Sequence, residues 1–269
     1  MNILQALILG LVEGLTEYLP VSSTGHLLIA QRLLGIEASE AANAYAIVIQ
    51  AGAIAAVLGL YRKRVVQMAL GVGGREPVGA RIALCLVVAF VPAAALGLLA
   101  GDAIEAYLFG PWPVAIAWAA GGLLLLVVAP RLKAAEGRAL EALTPRIALI
   151  VGVAQCAALW PGVSRSLATI LGGLAAGLSI AAAVEFSFLL GLLTLGAATA
   201  YKSLGSGTAM LEAYGVTELA VGFVAAWLSA ILAVKWMVAW LNHRGFGVFG
   251  YWRLAAAAVV IFMLVTGRM

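Results

Sequence analysis

Charge is what this sequence has least of. Only 10% of its 269 residues are Asp, Glu, Lys or Arg, against about 25% in soluble domains. Hydrophobic residues make up 64%, and the mean hydropathy is +1.09. A soluble core of this size has no means of hiding so much apolar surface, which excludes a water-soluble helical bundle and leaves the bilayer as solvent. Cysteine is nearly absent as well. Cys85 and Cys156 stand alone in apolar runs, so a disulfide framework and a cysteine metal motif are both excluded and packing is left as their role. The first dozen residues, MNILQALILGLV, lack a basic n-region and a small-residue cleavage site, and no cleavable signal peptide is expected. The net charge of +4 and pI near 9.3 are not a nucleic-acid footprint, because the basic residues fall in short loops between apolar spans. Glycine is what abounds, with 31 residues; small side chains let membrane helices approach closely.

Six stretches, roughly 43–61, 82–100, 113–130, 183–201, 217–237 and 252–267, approach the length of about 20 residues that crosses a bilayer. Two more, about 3–34 and 146–176, are apolar but interrupted by polar runs containing Pro and Gly. Each reads as a helix, a break and a second short helix. Irregular backbone at membrane depth is tolerated only inside protein or beside a wet cavity, so both are candidate re-entrant hairpins.

Loop charges give an orientation. Arg62, Lys63, Arg64, Arg75 and Arg81 form one basic loop; Arg131, Lys133, Arg138 and Arg146 a second; Lys235, Arg244 and Arg253 flank a third. These three loops are expected in the cytoplasm. The alternate loops carry Glu37, Glu40, Asp102, Glu105, Glu212 and Glu218, with Lys202 at one edge. Alternation closes only if each broken segment returns to its own side, the first entering from outside, the second from inside, with both termini outside. Gly10, Glu13, Ser22 and Asn43 recur 142 positions later as Gly152, Gln155, Ser164 and Glu185. Each half holds one broken hairpin and three spans, an odd number, so the second half is inverted. The expectation is a single all-α integral membrane domain over 1–269: six transmembrane helices plus two re-entrant helical hairpins in an inverted repeat, with pseudo-repeats of about 1–135 and 136–269.

Two constellations carry chemistry. The first runs EGLTEYLPVSSTGH from Glu13 to His26. Glu13 and Glu17 are four apart and share one helix face. Their repulsion and desolvation demand compensation by a divalent cation, a shared proton or a basic partner; hard cations such as magnesium or calcium favour carboxylate oxygens. Pro20 ends the helix, and Ser22, Ser23 and Thr24 suit the cap of the next, where free N–H groups and hydroxyls make an anion site. His26 follows within a turn and titrates near neutral pH. The second constellation, PGVSRSLAT, runs from Pro161 to Thr169. It repeats the break and the hydroxyls, Ser164, Ser166 and Thr169, and adds Arg165, whose planar fork matches phosphate oxygens. Ionisable groups inside membrane segments are functional by default.

The remaining polar residues say less. Gln50, Gln155 and Glu185 are equally suited to supporting the site and to helix–helix hydrogen bonds. His243 lies in a basic loop and is expected to be solvated. The Trp and Tyr residues near 112, 118, 160, 236, 240, 251 and 252 read as interface belts.

The motifs EGLTEYLPVSSTGHLLIA and ALWPGVSRSLATI, in this order and separation, resemble the bacterial undecaprenyl-diphosphate phosphatase family, also known as bacitracin-resistance proteins. The likeness extends through AYAIVIQAGAIAAVLGLYRKR, FGPWPVA and EFSFLLG. It implies removal of the terminal phosphate from undecaprenyl diphosphate to give the monophosphate carrier of cell-wall synthesis, in the bacterial plasma (inner) membrane, with the site opening to the extracytoplasmic side. It also implies a divalent cation, magnesium or calcium, and a site drawn from Glu13 and Glu17, Ser23 and His26, and Ser164, Arg165 and Thr169. The expected partners are the polyprenyl diphosphate and membrane lipid, not nucleic acid, and the sequence is compatible with a homodimer. One departure is Leu167, where the family usually has Gly, which is expected to narrow the turn or shift Arg165. Another is Leu193, near a common Pro. The attacker is Ser23 activated by His26, which the spacing favours, or water activated by His26, Glu17 or the metal. A lipid or anion transporter with the same inverted repeat is the competing function.

Overall fold

The computed structural model describes residues 1–37, 39–132, 137–241 and 243–268, with the backbone alone at 206–209. Lys133 and the expected repeat boundary at 135/136 lie outside the described residues. Among those described, the chain is helical, with one isolated bridge between Arg138 and Leu178 and no strand.

Local chemistry sets the helix starts. Helix α1 (Ile3–Thr16) opens on a reciprocal cap, Asn2 accepting from the Gln5 amide at 2.9 Å and Gln5 from the Asn2 amide at 2.8 Å. Helix α3 (Glu40–Leu60) is capped by Ser39, α5 (Pro77–Leu108) by Glu76, and α7 (Pro145–Cys156) by Thr144. Proline opens both α5 and α7, where its missing N–H costs nothing. Between these lie α2 (Ser23–Leu33), α4 (Arg62–Val72), α6 (Pro111–Leu132), α8 (Arg165–Ala175), α9 (Ile180–Leu241) and α10 (Gly247–Val265).

The six expected spans appear as Glu40–Leu60, Pro77–Leu108, Pro111–Leu132, Ile180–Gly205, Met210–Leu241 and Gly247–Val265, each long and apolar enough to cross a membrane. The protein is therefore a multi-pass membrane protein. The fourth and fifth spans form one broken helix, α9, interrupted at Gly215, whose φ of 82° and ψ of 163° are open to glycine. The chain turns back there. Upstream, Glu185 meets Arg64 and Thr199 meets Ile47, antiparallel to α3; downstream, Glu218 meets Tyr45, and Phe223 and Trp227 meet Gly52, parallel to it.

The basic loops gather at one end of the molecule. Arg64 pairs with Glu185 at 2.7 Å and Glu141 at 2.9 Å, and Arg81 donates to the Glu141 carbonyl. Leu140 and Leu143 share a core cluster with Leu241 at the end of α9 and Phe246 of the last loop. Glu185 thus belongs to this polar end, not to the central site. At the other end Lys202 faces Glu40 at 4.0 Å.

Two sequence expectations need correction. Arg253 does not flank a loop: it is 0% exposed, in the second turn of α10, where backbone carbonyls accept from both Nη groups while its Nε–H has no protein acceptor. Trp118 is not an interface-belt residue: it is buried with its ring against His26, whereas Trp252 is exposed and touches His26 from its other side. Cys85 is buried and Cys156 half-buried, both free, as packing residues should be, and His243 is exposed.

Candidate active site

Two polar turns interrupt apolar helices, one between α1 and α2, the other between α7 and α8. Each ends in a serine with positive φ, Ser22 at 74° and Ser164 at 77°, the two non-glycine residues in that region among those described. Such backbone costs on the order of 1–3 kcal/mol and persists only where its surroundings over-determine it. Pro20 and the Pro161–Gly162 pair stop the preceding helices, and the positive φ turns the chain sharply into α2 and α8. Ser23 and Arg165 are consequently the first residues of those helices.

The turns meet. The Ser166 hydroxyl donates to the Leu19 carbonyl at 2.9 Å, and Arg165 Nη2 donates to Glu17 Oε1 at 3.0 Å. The other Glu17 oxygen accepts the Ser23 hydroxyl. Glu17 is thus held from both sides by the two helix starts. Arg165 also donates from Nη1 to the Ser187 carbonyl at 2.9 Å and sits 5.4 Å from the Tyr18 ring centroid, while its Nε–H has no protein acceptor. Glu17, Ser22, Ser23, Thr24, Gln50, Ser164 and Arg165 line a cavity of about 130 Å³.

A second, larger cavity of about 550 Å³ adjoins it, with Arg165 and Ala158 common to both walls. Its lining is mostly apolar, including Phe90, Ala93, Leu98, Leu159 and Ala197, and the rim residues Leu98 and Tyr201 are exposed.

Glu13 lies one turn before Glu17, fully buried, and both its carboxylate oxygens lack a protein partner. Of the three compensations open to the acid pair, a basic partner is present for Glu17 and none for Glu13. Two carboxylates against one guanidinium leave a negative charge in excess if both ionise, and buried ionised oxygens without partners are costly. That donor set fits a hard cation. It is a sparse one: among the described residues no group of three His, Cys, Asp or Glu side chains could hold a metal ion.

The remaining sequence-predicted residues divide. Neither ring nitrogen of His26 bonds Ser23: Nδ1 lies 2.7 Å from the Ser22 carbonyl and Nε2 accepts from the Trp252 indole at 3.0 Å, with the Trp118 ring packed against it. Ser164 caps α8, accepting from the Leu167 amide at 3.2 Å. Thr169 donates to the Arg165 carbonyl at 2.8 Å and lies 2.7 Å from the Ser187 hydroxyl, so both support Arg165 from behind. Leu167 is buried in the main core and leaves Arg165 in contact with Glu17. Gln50 joins the polar cavity, whereas Gln155 lines the apolar one and donates to Ala89.

Sequence reasoning missed Tyr18, Ser187 and Arg253. Tyr18 and Ser187 sit inside the quoted motifs, and a lone hydroxyl within FSFLL was the available signal for the latter. Arg253 sat in an apolar run, YWRLAAAAVV, and that setting was the signal.

Fold and site together define a polytopic membrane protein whose buried polar pocket, built from two helix starts, a paired arginine and acids, adjoins a larger apolar cavity. Sequence comparison narrows the class. The chain belongs to the family described as bacitracin resistance protein BacA, whose model matches residues 6–259. It is 46% identical over 262 residues to an undecaprenyl-diphosphatase of Sorangium cellulosum, covering 96% of this chain and 85% of that protein. It is 45% identical to undecaprenyl-diphosphatase 2 of Rhodospirillum rubrum, covering 96% and 94%. With the undecaprenyl-diphosphatase of Ectopseudomonas mendocina it shares 44% identity, covering 96% and 92%.

Proposed function

We infer that this protein hydrolyses undecaprenyl diphosphate to undecaprenyl phosphate and inorganic phosphate, recycling the cell-wall lipid carrier and conferring bacitracin resistance. The observation that carries this reading is the meeting of two cavities at Arg165. A polar pocket receives the diphosphate, and the apolar one takes the adjoining prenyl chain.

Arg165 and the starts of α2 and α8 gather charge on the terminal phosphoryl group, since positioning and electrostatics supply most of phosphoryl-transfer catalysis. The Arg165 Nε–H, without a protein acceptor, is a donor open to a phosphate oxygen. Ser23 is the nucleophile and Glu17 its base, because the Ser23 hydroxyl already donates to Glu17. The Ser23 Oγ–P bond forms as its proton passes to Glu17 Oε2. The bond from the terminal phosphorus to the bridging oxygen breaks, and undecaprenyl phosphate leaves. Water then attacks the phosphoserine: its oxygen bonds to phosphorus as the Ser23 Oγ–P bond breaks, Glu17 returns its proton to Ser23 Oγ, and the proton shed by the water leaves on inorganic phosphate. Ser22, Thr24 and Ser164 line the phosphate pocket. His26, with both nitrogens engaged away from Ser23, orients the α2 start. Ser166 and Thr169 hold the second turn in place. Glu13, with Glu17, would hold a divalent magnesium or calcium ion, which when bound supplies positive charge to the transferring phosphoryl group.

The broken helices are re-entrant hairpins in an inverted repeat within one membrane domain. Two features support this: Ser22 and Ser164 share their unusual φ at the 142-residue offset, and each hairpin packs on the other half. Gly10 of α1 meets Gly222 of α9, and Gly152 of α7 meets Ala89 of α5. With the basic end in the cytoplasm, the protein sits in the inner membrane and the site opens outward.

The test is phosphate release from undecaprenyl diphosphate by the purified protein in detergent with magnesium or calcium. Release that is lost in Glu17→Ala and Arg165→Ala supports the reading. No release, together with gradient-driven anion or lipid uptake into vesicles, would replace it with the transporter.

A further inference from the structure

Arg253 is fully buried in an apolar span. Its partners are four backbone carbonyls from three separate elements. Nη1 donates to Pro20 at 3.3 Å and Val163 at 3.1 Å; Nη2 donates to Ala117 at 2.9 Å and Gly162 at 2.8 Å. Pro20 belongs to the first polar turn, Gly162 and Val163 to the second, and Ala117 to α6. One planar guanidinium therefore bridges both turns to a spanning helix. Gly121 of α6 makes the room: a Cβ there would strike the guanidinium.

The bonded carbonyls are placed to matter. Pro20 is three residues from both Glu17 and Ser23, and Val163 directly precedes Ser164 and Arg165. Broken helices at membrane depth leave carbonyls that need donors, and positive-φ residues persist only where something over-determines them. A neutral amide carries two N–H donors, too few for four carbonyls. Lysine supplies charge without the planar fork.

We propose that Arg253 is a positioning residue that sets the separation of Glu17 and Ser23 from Arg165 and holds Ser22 and Ser164 in their left-handed conformations. Its kinetic consequence rests on the phosphatase reading; its structural consequence does not.

The experiment compares wild type, Arg253→Lys and Gly121→Ala, with activity referred to the folded fraction measured by thermal melting. Misplacing reacting groups by about 1 Å costs on the order of 10²-fold. Both variants are expected to lose ten-fold or more in kcat with KM within about three-fold, and amide hydrogen exchange is expected to rise within 17–25 and 158–168 but not in the spans. Wild-type kcat in folded Arg253→Lys, a loss carried by KM alone, or exchange that rises uniformly would overturn the proposal. Should Arg253→Lys not fold, Gly121→Ala decides, since it keeps the arginine and displaces it. Should wild type hydrolyse no prenyl diphosphate, the phosphatase reading fails, and the exchange pattern alone judges the clamp.

Discussion

Ser23 and Arg165 stand at corresponding places, each the first residue of its helix and each one residue past a serine with positive φ. Both reach Glu17, from opposite sides. Beyond that the two turns differ. Ser164 caps its own helix, whereas Ser22 makes no side-chain cap and leaves the amides of α2 without one. Glu13 has both oxygens unpartnered; Gln155, its counterpart, donates to Ala89. One backbone device therefore serves two purposes. The first turn is left open and acidic, and the second is closed, basic and braced.

Mutations can break this comparison. The largest effect is expected at the shared ion pair. Arg165→Ala should lower kcat by about 10³-fold or more and destabilise the fold by roughly 3–5 kcal/mol, because Glu17 becomes a buried charge without its partner; phosphate release and thermal unfolding measure the two losses. Ser23→Ala should match it in activity at a smaller cost in stability, about 1–3 kcal/mol, because one buried Glu17 oxygen loses its donor while Arg165 still pairs with the other. Full turnover by that variant would remove Ser23 as nucleophile and leave water.

Smaller effects separate packing from chemistry. Gly14→Ala would drive a Cβ into Ser229 and the Ala226 carbonyl of α9, and Gly152→Ala into the backbone of Ala89. Each should cost about 1–3 kcal/mol by overpacking, seen as a lowered unfolding temperature. Ser164→Ala should cost about 1 kcal/mol through loss of its cap, while Ser22→Ala should cost only a few tenths, since no side-chain cap is lost. Equal costs would mean the turns are braced alike.

The smallest effect lies at the basic end. The Glu141 carboxyl sits below the ordinary carboxylate range, first through hydrogen bonding to its own backbone amide and then through Arg64. A depressed folded value means its stabilisation is full above the ordinary carboxylate range and is lost as pH falls through the lowered value. Half exposed, the group should contribute well under 1 kcal/mol. Glu141→Gln should flatten that acid-side fall in melting temperature and leave the neutral-pH value nearly unchanged.

Much of the architecture was legible because membrane spans announce themselves by length and lack of charge. All six spans and both breaks are present where expected, although the helices overrun the expected bounds, most of all at Pro77–Leu108 and Met210–Leu241. The site was legible wherever polar residues interrupted apolar runs, as at Glu13, Glu17, Ser23 and Arg165. Partner choice was not. Sequence spacing paired Ser23 with His26, but the positive φ at Ser22 places the Ser23 hydroxyl on Glu17, and the His26 ring lies between two tryptophans. Arg253 was misassigned because Tyr251 and Trp252 beside it resemble a membrane interface. Only the fold shows that carbonyls freed by two distant breaks converge on it.

The exposed rim of the apolar cavity has a bearing on how rates are measured. Leu98 and Tyr201 line it and are exposed, so a long-chain substrate entering between them would come sideways, by two-dimensional diffusion. Its effective concentration is then a mole fraction in the surrounding amphiphile. Adding detergent at fixed protein and substrate should slow turnover by surface dilution, and a half-saturation value in bulk molar units would describe the micelle as much as the enzyme.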